Sequence, residues 1–183
     1  MADALTVPFA VAAIVLGAAG VGKLRRPAPA VAALSGVGLP VSAGLVRALA
    51  AAEIVLGAWC AALPGRVTAG LLAGAYVALC CWSVVLARAR LPCGCFGEGA
   101  RGIVAGRAAD GAMRAWGVAP ALSGALASVA LAAIAVSPRG AAWIVDRPAA
   151  NAGVLALAIC AAAYATVLVY TQLPAVWGAW SGR

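Results

Sequence analysis

Five long apolar runs, separated by stretches that hold nearly all the charges, dominate this sequence. Each run has about 18 to 22 residues, the length that a helix needs to cross the hydrocarbon core of a bilayer. Over the whole chain 66% of the 183 residues are hydrophobic and only 10% are charged, far from the usage of soluble domains. The sequence therefore predicts an integral membrane protein with spans at Leu5–Gly22, Gly44–Leu63, Val67–Ala87, Val118–Val136 and Ala152–Leu173.

The runs predict helices rather than the strands of a barrel. A transmembrane barrel would show segments of about ten residues that alternate between apolar and polar positions, and the sequence has no such alternation. The first run is not typical of a signal peptide, because Asp3 precedes it and its basic residues, Lys23, Arg25 and Arg26, follow it. We expect an all-α integral membrane bundle of about five transmembrane helices, forming one domain over residues 1–183.

The net charge of +8 indicates lipid headgroups as partners and not nucleic acid. The basic residues are scattered over the loops beside the runs and form no basic groove with interleaved aromatic residues. With five spans, ten basic residues fall on one side of the membrane and three on the other, so the positive-inside rule places the richer side in the cytoplasm. The richer side carries Lys23, Arg25, Arg26, Arg47, Arg88, Arg90, Arg101, Arg107, Arg114 and Arg183; the poorer side carries Arg66, Arg139 and Arg147.

Small residues at helical spacing predict which faces of two spans are packed. Gly70 and Gly74 form a G-x-x-x-G motif in the third span, and such motifs let helix backbones approach closely in lipid. The same face continues to Cys81, which we therefore expect inside the bundle. In the second span Glu53, Gly57 and Cys60 lie on one face in the same way.

The segment Leu91–Gly97 has the sequence LPCGCFG and holds the strongest candidate for chemistry. Cysteines two residues apart can bring their Cα atoms within the roughly 4.4–6.8 Å that a disulfide requires. The resulting ring is small and strained, which favours reduction, and nearby arginines favour the thiolate. Cys93 and Cys95 are thus predicted to be a redox pair, with an inert loop pair, a lipidated cysteine and half of a metal site as alternatives.

The other four cysteines leave two further hypotheses open. The chain has no histidine, so a complete zinc site is not expected. Cys80 and Cys81 lie in the third span and could, with the pair at 93 and 95, supply soft ligands along the path of a heavy-metal or thiol-ligand transporter. Otherwise they are small hydrophobes, as we expect for Cys60 and Cys160, and the protein could be a scaffold for a complex.

Glu53 is the acidic residue that lies well inside a span. An intramembrane carboxylate is a functional hypothesis by default. It is either a proton acceptor for thiol or redox chemistry, or the partner of a basic side chain from Lys23 or Arg47.

Three segments together resemble the methylamine utilisation protein MauE family, within the wider group of DoxX-like redox-associated membrane proteins. They are Gly22-Lys23-Leu24-Arg25, Glu53-Ile54-Val55-Leu56-Gly57 and Cys93-Gly94-Cys95-Phe96-Gly97, and the resemblance extends over about residues 7–136. It implies a four-helix DoxX/MauE-like core, to which the run at residues 152–173 adds one helix.

The resemblance also implies a function and a set of residues. Family members support disulfide formation or maturation of exported proteins such as methylamine dehydrogenase, often beside a thioredoxin-like partner. Cys93 and Cys95 would then be the redox pair, with Lys23 and Glu53 as supporting intramembrane charges. Together with the residues selected from the sequence itself, the expected catalytic residues are Cys93, Cys95 and Glu53, and the expected supporting residues are Lys23, Gly94, Phe96, Gly97, Arg114 and Cys81. Many relatives have an Arg-Asn pair before the fourth span, whereas Arg114 here precedes Ala115.

The implied setting is a multi-pass protein of the bacterial inner membrane. No cofactor is required, and a quinone in the bundle is an open alternative. Maturation of exported proteins implies that the thiols face outward, opposite to the side that the basic residues indicate.

Overall fold

The computed structural model describes residues 2–89 and 118–181, and within these ranges the chain is helical with no strand. Five of the helices are long and apolar enough to cross a membrane, which confirms the predicted bundle. In chain order the described helices are α1 (Ala2–Arg25), α2 (Ala28–Gly36), α3 (Ala43–Ala62), α4 (Arg66–Arg88), α5 (Val118–Val136), α6 (Ala141–Val145) and α7 (Ala149–Ser181). The spans are α1, α3, α4, α5 and α7.

The span boundaries follow the apolar runs closely, because a span ends where charged or turn-forming residues begin. α5 has the predicted limits, and α3 and α4 differ from the prediction by one residue at each end. The exceptions are α1, which extends three residues beyond the predicted run at each end, and α7, which begins at Ala149 and continues to Ser181, past the predicted end at Leu173.

Two short helices, α2 and α6, were not predicted from the sequence. α2 begins after Pro27 and carries Pro29 in its first turn. Prolines are usually signals for loops, but the first turn of a helix accepts proline because its N–H groups lack intrahelical partners. α6 has only five residues, too few for a periodic pattern to reveal.

Contacts that join the spans and their connecting turns show that the spans alternate in direction. The backbone N–H of Arg139, after α5, donates to the hydroxyl of Thr6 near the start of α1 at 3.2 Å. Gly140 lies against Pro64, in the turn between α3 and α4. Towards the opposite end, which we call the Lys23 end because α1 ends there, the thiol of Cys80 in the second half of α4 donates to the carbonyl of Pro120 in the first turn of α5 at 3.4 Å.

α1 and α3 pack with their backbones almost in contact. A Cβ atom at Gly57 would lie 2.6 Å from the carbonyl oxygen of Ala13, and one at Gly20 would lie 2.6 Å from that of Ala50. Real Cβ atoms do not approach oxygen so closely, so both positions require glycine for this packing. Gly57 and Cys60 are buried, which confirms the predicted face of the second span.

The core lies between α1, α4 and α5. Phe9 and Leu16 of α1 pack with Leu72 and Tyr76 of α4 in one cluster that also includes small residues of α5. The hydroxyl of Tyr76 donates to the carbonyl of Ala12 at 2.7 Å, so its polar atom is satisfied in the interior. α7 rests on α1 through a separate small cluster and leaves much of its apolar surface outward.

The predicted packing face of α4 was wrong. A Cβ atom at Gly70 or Gly74 would meet no atom within 4 Å, and Val77 and Cys81 are exposed. The packed face of α4 is next to the face that carries Gly70, Gly74 and Cys81, and its larger side chains contact α1 and α5. Its members are Thr68, Ala69, Leu72, Ala73, Tyr76, Ser83 and Leu86.

Candidate functional site

Lys23 and Glu53 form an ion pair between the last turn of α1 and the middle of α3. The ammonium of Lys23 donates to Oε1 of Glu53, and only 11% and 17% of the two side chains are exposed. Charges removed from water are costly unless they are paired. Of the two basic partners proposed for Glu53 from the sequence, the structure therefore selects Lys23 and not Arg47.

The ion pair leaves hydrogen-bonding capacity unused. Oε2 of Glu53 is buried and has no hydrogen-bond partner among the described residues. An ammonium has three N–H donors, and within the same part of the chain Lys23 donates only to Glu53. One acceptor and two donors thus remain beside each other in the bundle.

A small, partly open cavity lies next to Lys23, between α1, α4, α5 and α7. The space available to the centre of a water molecule is about 20 Å³. The cavity is lined by Val15, Leu16, Ala19, Lys23, Tyr76, Leu79, Ser123 and Tyr170. Its walls are thus mainly apolar, with the ammonium and three hydroxyl-bearing side chains as polar groups.

Two of these hydroxyls bond to each other across the cavity. Ser123 of α5, which is 4% exposed, and Tyr170 of α7 share a hydrogen bond of 2.9 Å. Ser123 lies five residues after the start of α5, or about 8 Å along its axis, so the cavity belongs to the half of the bundle at the Lys23 end. Neither residue was predicted from the sequence; the signal that could have found them is an isolated hydroxyl group within an apolar run.

The predicted thiol pair lies outside the described residues, together with Gly94, Phe96, Gly97 and Arg114. The structure does describe the two helix ends that the segment 90–117 connects. α4 ends at Arg88 and α5 begins at Val118, both at the Lys23 end. The chain therefore enters and leaves this segment at the end of the bundle that contains the ion pair.

The intramembrane cysteines do not share one interior path. Cys60 is buried and donates to the carbonyl of Thr68 at 3.4 Å, while Cys80 is half-buried beside α5 and both Cys81 and Cys160 are exposed. Within the described ranges no group of three or more His, Cys, Asp or Glu residues could hold a metal ion. Cys81 thus does not line the interior, contrary to expectation.

Comparison with known proteins identifies the family. The family model of the methylamine utilisation protein MauE matches residues 1–110, which include α1 to α4, the ion pair and the Cys-Gly-Cys segment. The match ends before Arg114 and the last two spans, earlier than the resemblance at residue 136 suggested. No curated protein and no solved structure gives a significant match. The chain, a multi-pass membrane protein, belongs to the MauE family of methylamine utilisation proteins.

Proposed function

We propose that this protein exchanges thiols and disulfides at the membrane, with Cys93 and Cys95 as the reacting pair and a thioredoxin-like protein as its partner. The observation that carries the proposal is the family match, because it includes Cys93 and Cys95, the cysteines that are close together in the sequence and outside the predicted spans. The buried ion pair of Lys23 and Glu53 supports it, since ionisable residues within transmembrane segments are rare and typically mark functional sites.

The exchange needs no reactant other than the two proteins. One thiolate of the pair attacks a sulfur of the partner's disulfide, forming a mixed disulfide and releasing one partner thiolate. The second cysteine then attacks its neighbour's sulfur in the mixed disulfide and releases the other partner thiolate. The pair at 93 and 95 loses two electrons and becomes a disulfide, while the partner gains them and becomes a dithiol. The same steps in reverse would reduce the pair.

Glu53 is the proposed proton acceptor of this reaction. Each attacking thiol must lose a proton before it reacts, and each released thiolate takes one up. A carboxylate held by Lys23 inside the bundle can store a proton between these two events. The proposal includes no cofactor, because the partner's disulfide accepts the electron pair.

Trapping of the mixed disulfide tests the proposal. The variants Cys93→Ser and Cys95→Ser are each incubated with an oxidised thioredoxin-like protein and separated on non-reducing gels. The variant that retains the attacking thiol should form the mixed disulfide but cannot complete the exchange, and an alkylating quench preserves the adduct because it blocks the thiolate released from the partner; the double variant should form none. Cys160→Ser serves as the control and should behave as the unmodified protein. An adduct that persists in the double variant would assign the exchange to another cysteine.

A growth assay on methylamine extends the test to the cell. Each single variant at 93 or 95 should abolish complementation, whereas Cys160→Ser should preserve it. Full complementation by the double variant would refute thiol exchange as the function. Protection of the same thiols by a soft metal ion, without any mixed disulfide, would instead support transport.

A further inference from the structure

The basic residue inside the bundle is chemically different from all the others. The chain has thirteen basic residues, and Lys23 is the only lysine among them. An ammonium is a compact charge with three rotatable donors, whereas a guanidinium is a wide planar group with five donors in a fixed fork. At the edge of a cavity as small as this one, an ammonium leaves room for a ligand that a guanidinium would displace.

The cavity beside Lys23 has the size and the polar groups of a water site. A single water molecule needs at least about 10–15 Å³ for its centre and two to four polar partners, and the cavity offers about 20 Å³. Lys23 has two N–H donors beyond the one that Glu53 accepts, and a water oxygen is a suitable acceptor for them. The hydroxyls of Ser123 and Tyr170 line the same space and can bond to the water in turn.

We infer that this cavity holds a water molecule that joins Lys23 to Ser123 and Tyr170 and brings the Lys23–Glu53 pair into proton exchange with solvent. Nonpolar walls alone would leave such a cavity dry; the ammonium and the hydroxyls make it wet. Ser123 and Tyr170 are then positioning residues, since they act through the water.

The water site gives the ion pair a route for protons. A proton reaches or leaves the pair by hydrogen-bond exchange through the water, so no side chain has to leave the interior. The use of this route for thiol chemistry rests on the proposed function, whereas the hydration of the cavity does not.

The single lysine makes a direct test possible. Protein grown with lysine labelled with ¹⁵N at Nζ gives one ammonium signal by NMR, and that signal belongs to Lys23. Exchange and cross-relaxation between its protons and water are measured on the complete protein in micelles without any partner. We expect a cross-peak to bound water, with exchange slower than that of an exposed lysine.

Substitutions of the residues that line the cavity should weaken or preserve the water cross-peak, according to whether they leave room and partners for the water. Ser123→Val fills the space with methyl groups and should weaken the water cross-peak at least fivefold, whereas Ser123→Ala leaves room for water and should preserve it. Tyr170→Phe removes one partner of the water and should weaken the cross-peak to a smaller degree. Ser128→Val on α5 and Tyr164→Phe on α7 change exposed residues of the same types and serve as matched controls.

Each result of the NMR experiment either supports or overturns the water site. Loss of the cross-peak in Ser123→Val, with retention in Ser123→Ala and in both controls, supports the water site. The water site is overturned if the unmodified protein gives no cross-peak. It is also overturned if Ser123→Val and Tyr170→Phe both give a cross-peak as strong as that of the unmodified protein. The measurement is made without a redox partner, so it does not depend on thiol exchange at Cys93 and Cys95. A dry cavity would likewise leave the test of thiol exchange unaffected.

Discussion

The ammonium of Lys23 and the carboxylate of Glu53 meet inside the bundle about one helical turn from Gly20, one of two glycines at which the backbones of α1 and α3 approach closely. The close backbone approach brings a side chain from the end of α1 within reach of the middle of α3. Glycine packing and the ion pair are therefore parts of one arrangement.

Removal of either charge alone should destabilise the protein. Lys23→Met or Glu53→Leu leaves the partner charge buried without its counterion, and breaking a buried pair in this way costs about 3–5 kcal/mol. Unfolding of the purified protein by a denaturing detergent measures the loss.

The double variant Lys23→Met/Glu53→Leu separates structure from function. It should recover much of the stability, because no unpaired charge remains, but it should not recover thiol exchange. A double variant as active as the unmodified protein would show that the pair is only structural.

Gly57→Ala should loosen the contact between α1 and α3. The new methyl group would overlap the carbonyl oxygen of Ala13, and overpacking of this kind typically costs about 1–3 kcal/mol. Gly74→Ala is the matched control, since its methyl group would meet no atom within 4 Å. Detergent unfolding should show a loss for the first variant and little change for the second. Equal stability of both would contradict the close approach of the two helices.

The spans could be predicted from the sequence because hydrophobic length alone determines them. The packed face of α4 could not, although the G-x-x-x-G motif suggested one. Small residues permit a close approach but do not require it, and in α4 the larger side chains of Leu72 and Tyr76 fill the interior instead. In α3 the prediction for Gly57 was right, because there a second glycine-containing backbone lies opposite.

Parts of the candidate site were also accessible from the sequence. A charged residue is easily recognised within an apolar run, so Glu53 and its possible basic partners could be identified from the sequence. Ser123 and Tyr170 were not, because single hydroxyl groups are common in spans and their convergence on one cavity depends on how α5 and α7 pack. The role of Cys93 and Cys95 remains a prediction.

Tyr76→Phe should cost about 0.5–1.5 kcal/mol of stability, the net value of one hydrogen bond. The variant removes the donor to Ala12 while keeping the ring in the core. Tyr164→Phe, at a residue that is 65% exposed, provides the comparison in the same unfolding assay. A loss of similar size in both variants would mean that the bond to Ala12 contributes nothing specific.

The alternating spans predict on which side of the membrane the thiols lie relative to other positions of the chain. Cys93 and Cys95 should react with a membrane-impermeant thiol reagent from the same side as a cysteine introduced at Ser35 in α2, because both positions connect to the Lys23 end. A cysteine at Arg66 should react from the opposite side. Each position is tested in a chain without the other cysteines. Labelling of Cys93 and Arg66→Cys from one side would contradict the five-span order.

Redox trapping in intact membranes tests the central claim most directly. A variant with serine at Cys60, Cys80, Cys81 and Cys160 retains only the pair at 93 and 95, and a mass-adding alkylating reagent counts its free thiols. We predict that a fraction of the molecules has no free thiol until a reductant is added and two thereafter. That fraction should rise when an oxidised thioredoxin-like partner is added and fall when the reduced partner is added. Two free thiols in every molecule, whatever the redox state of the partner, would contradict thiol–disulfide exchange by this protein.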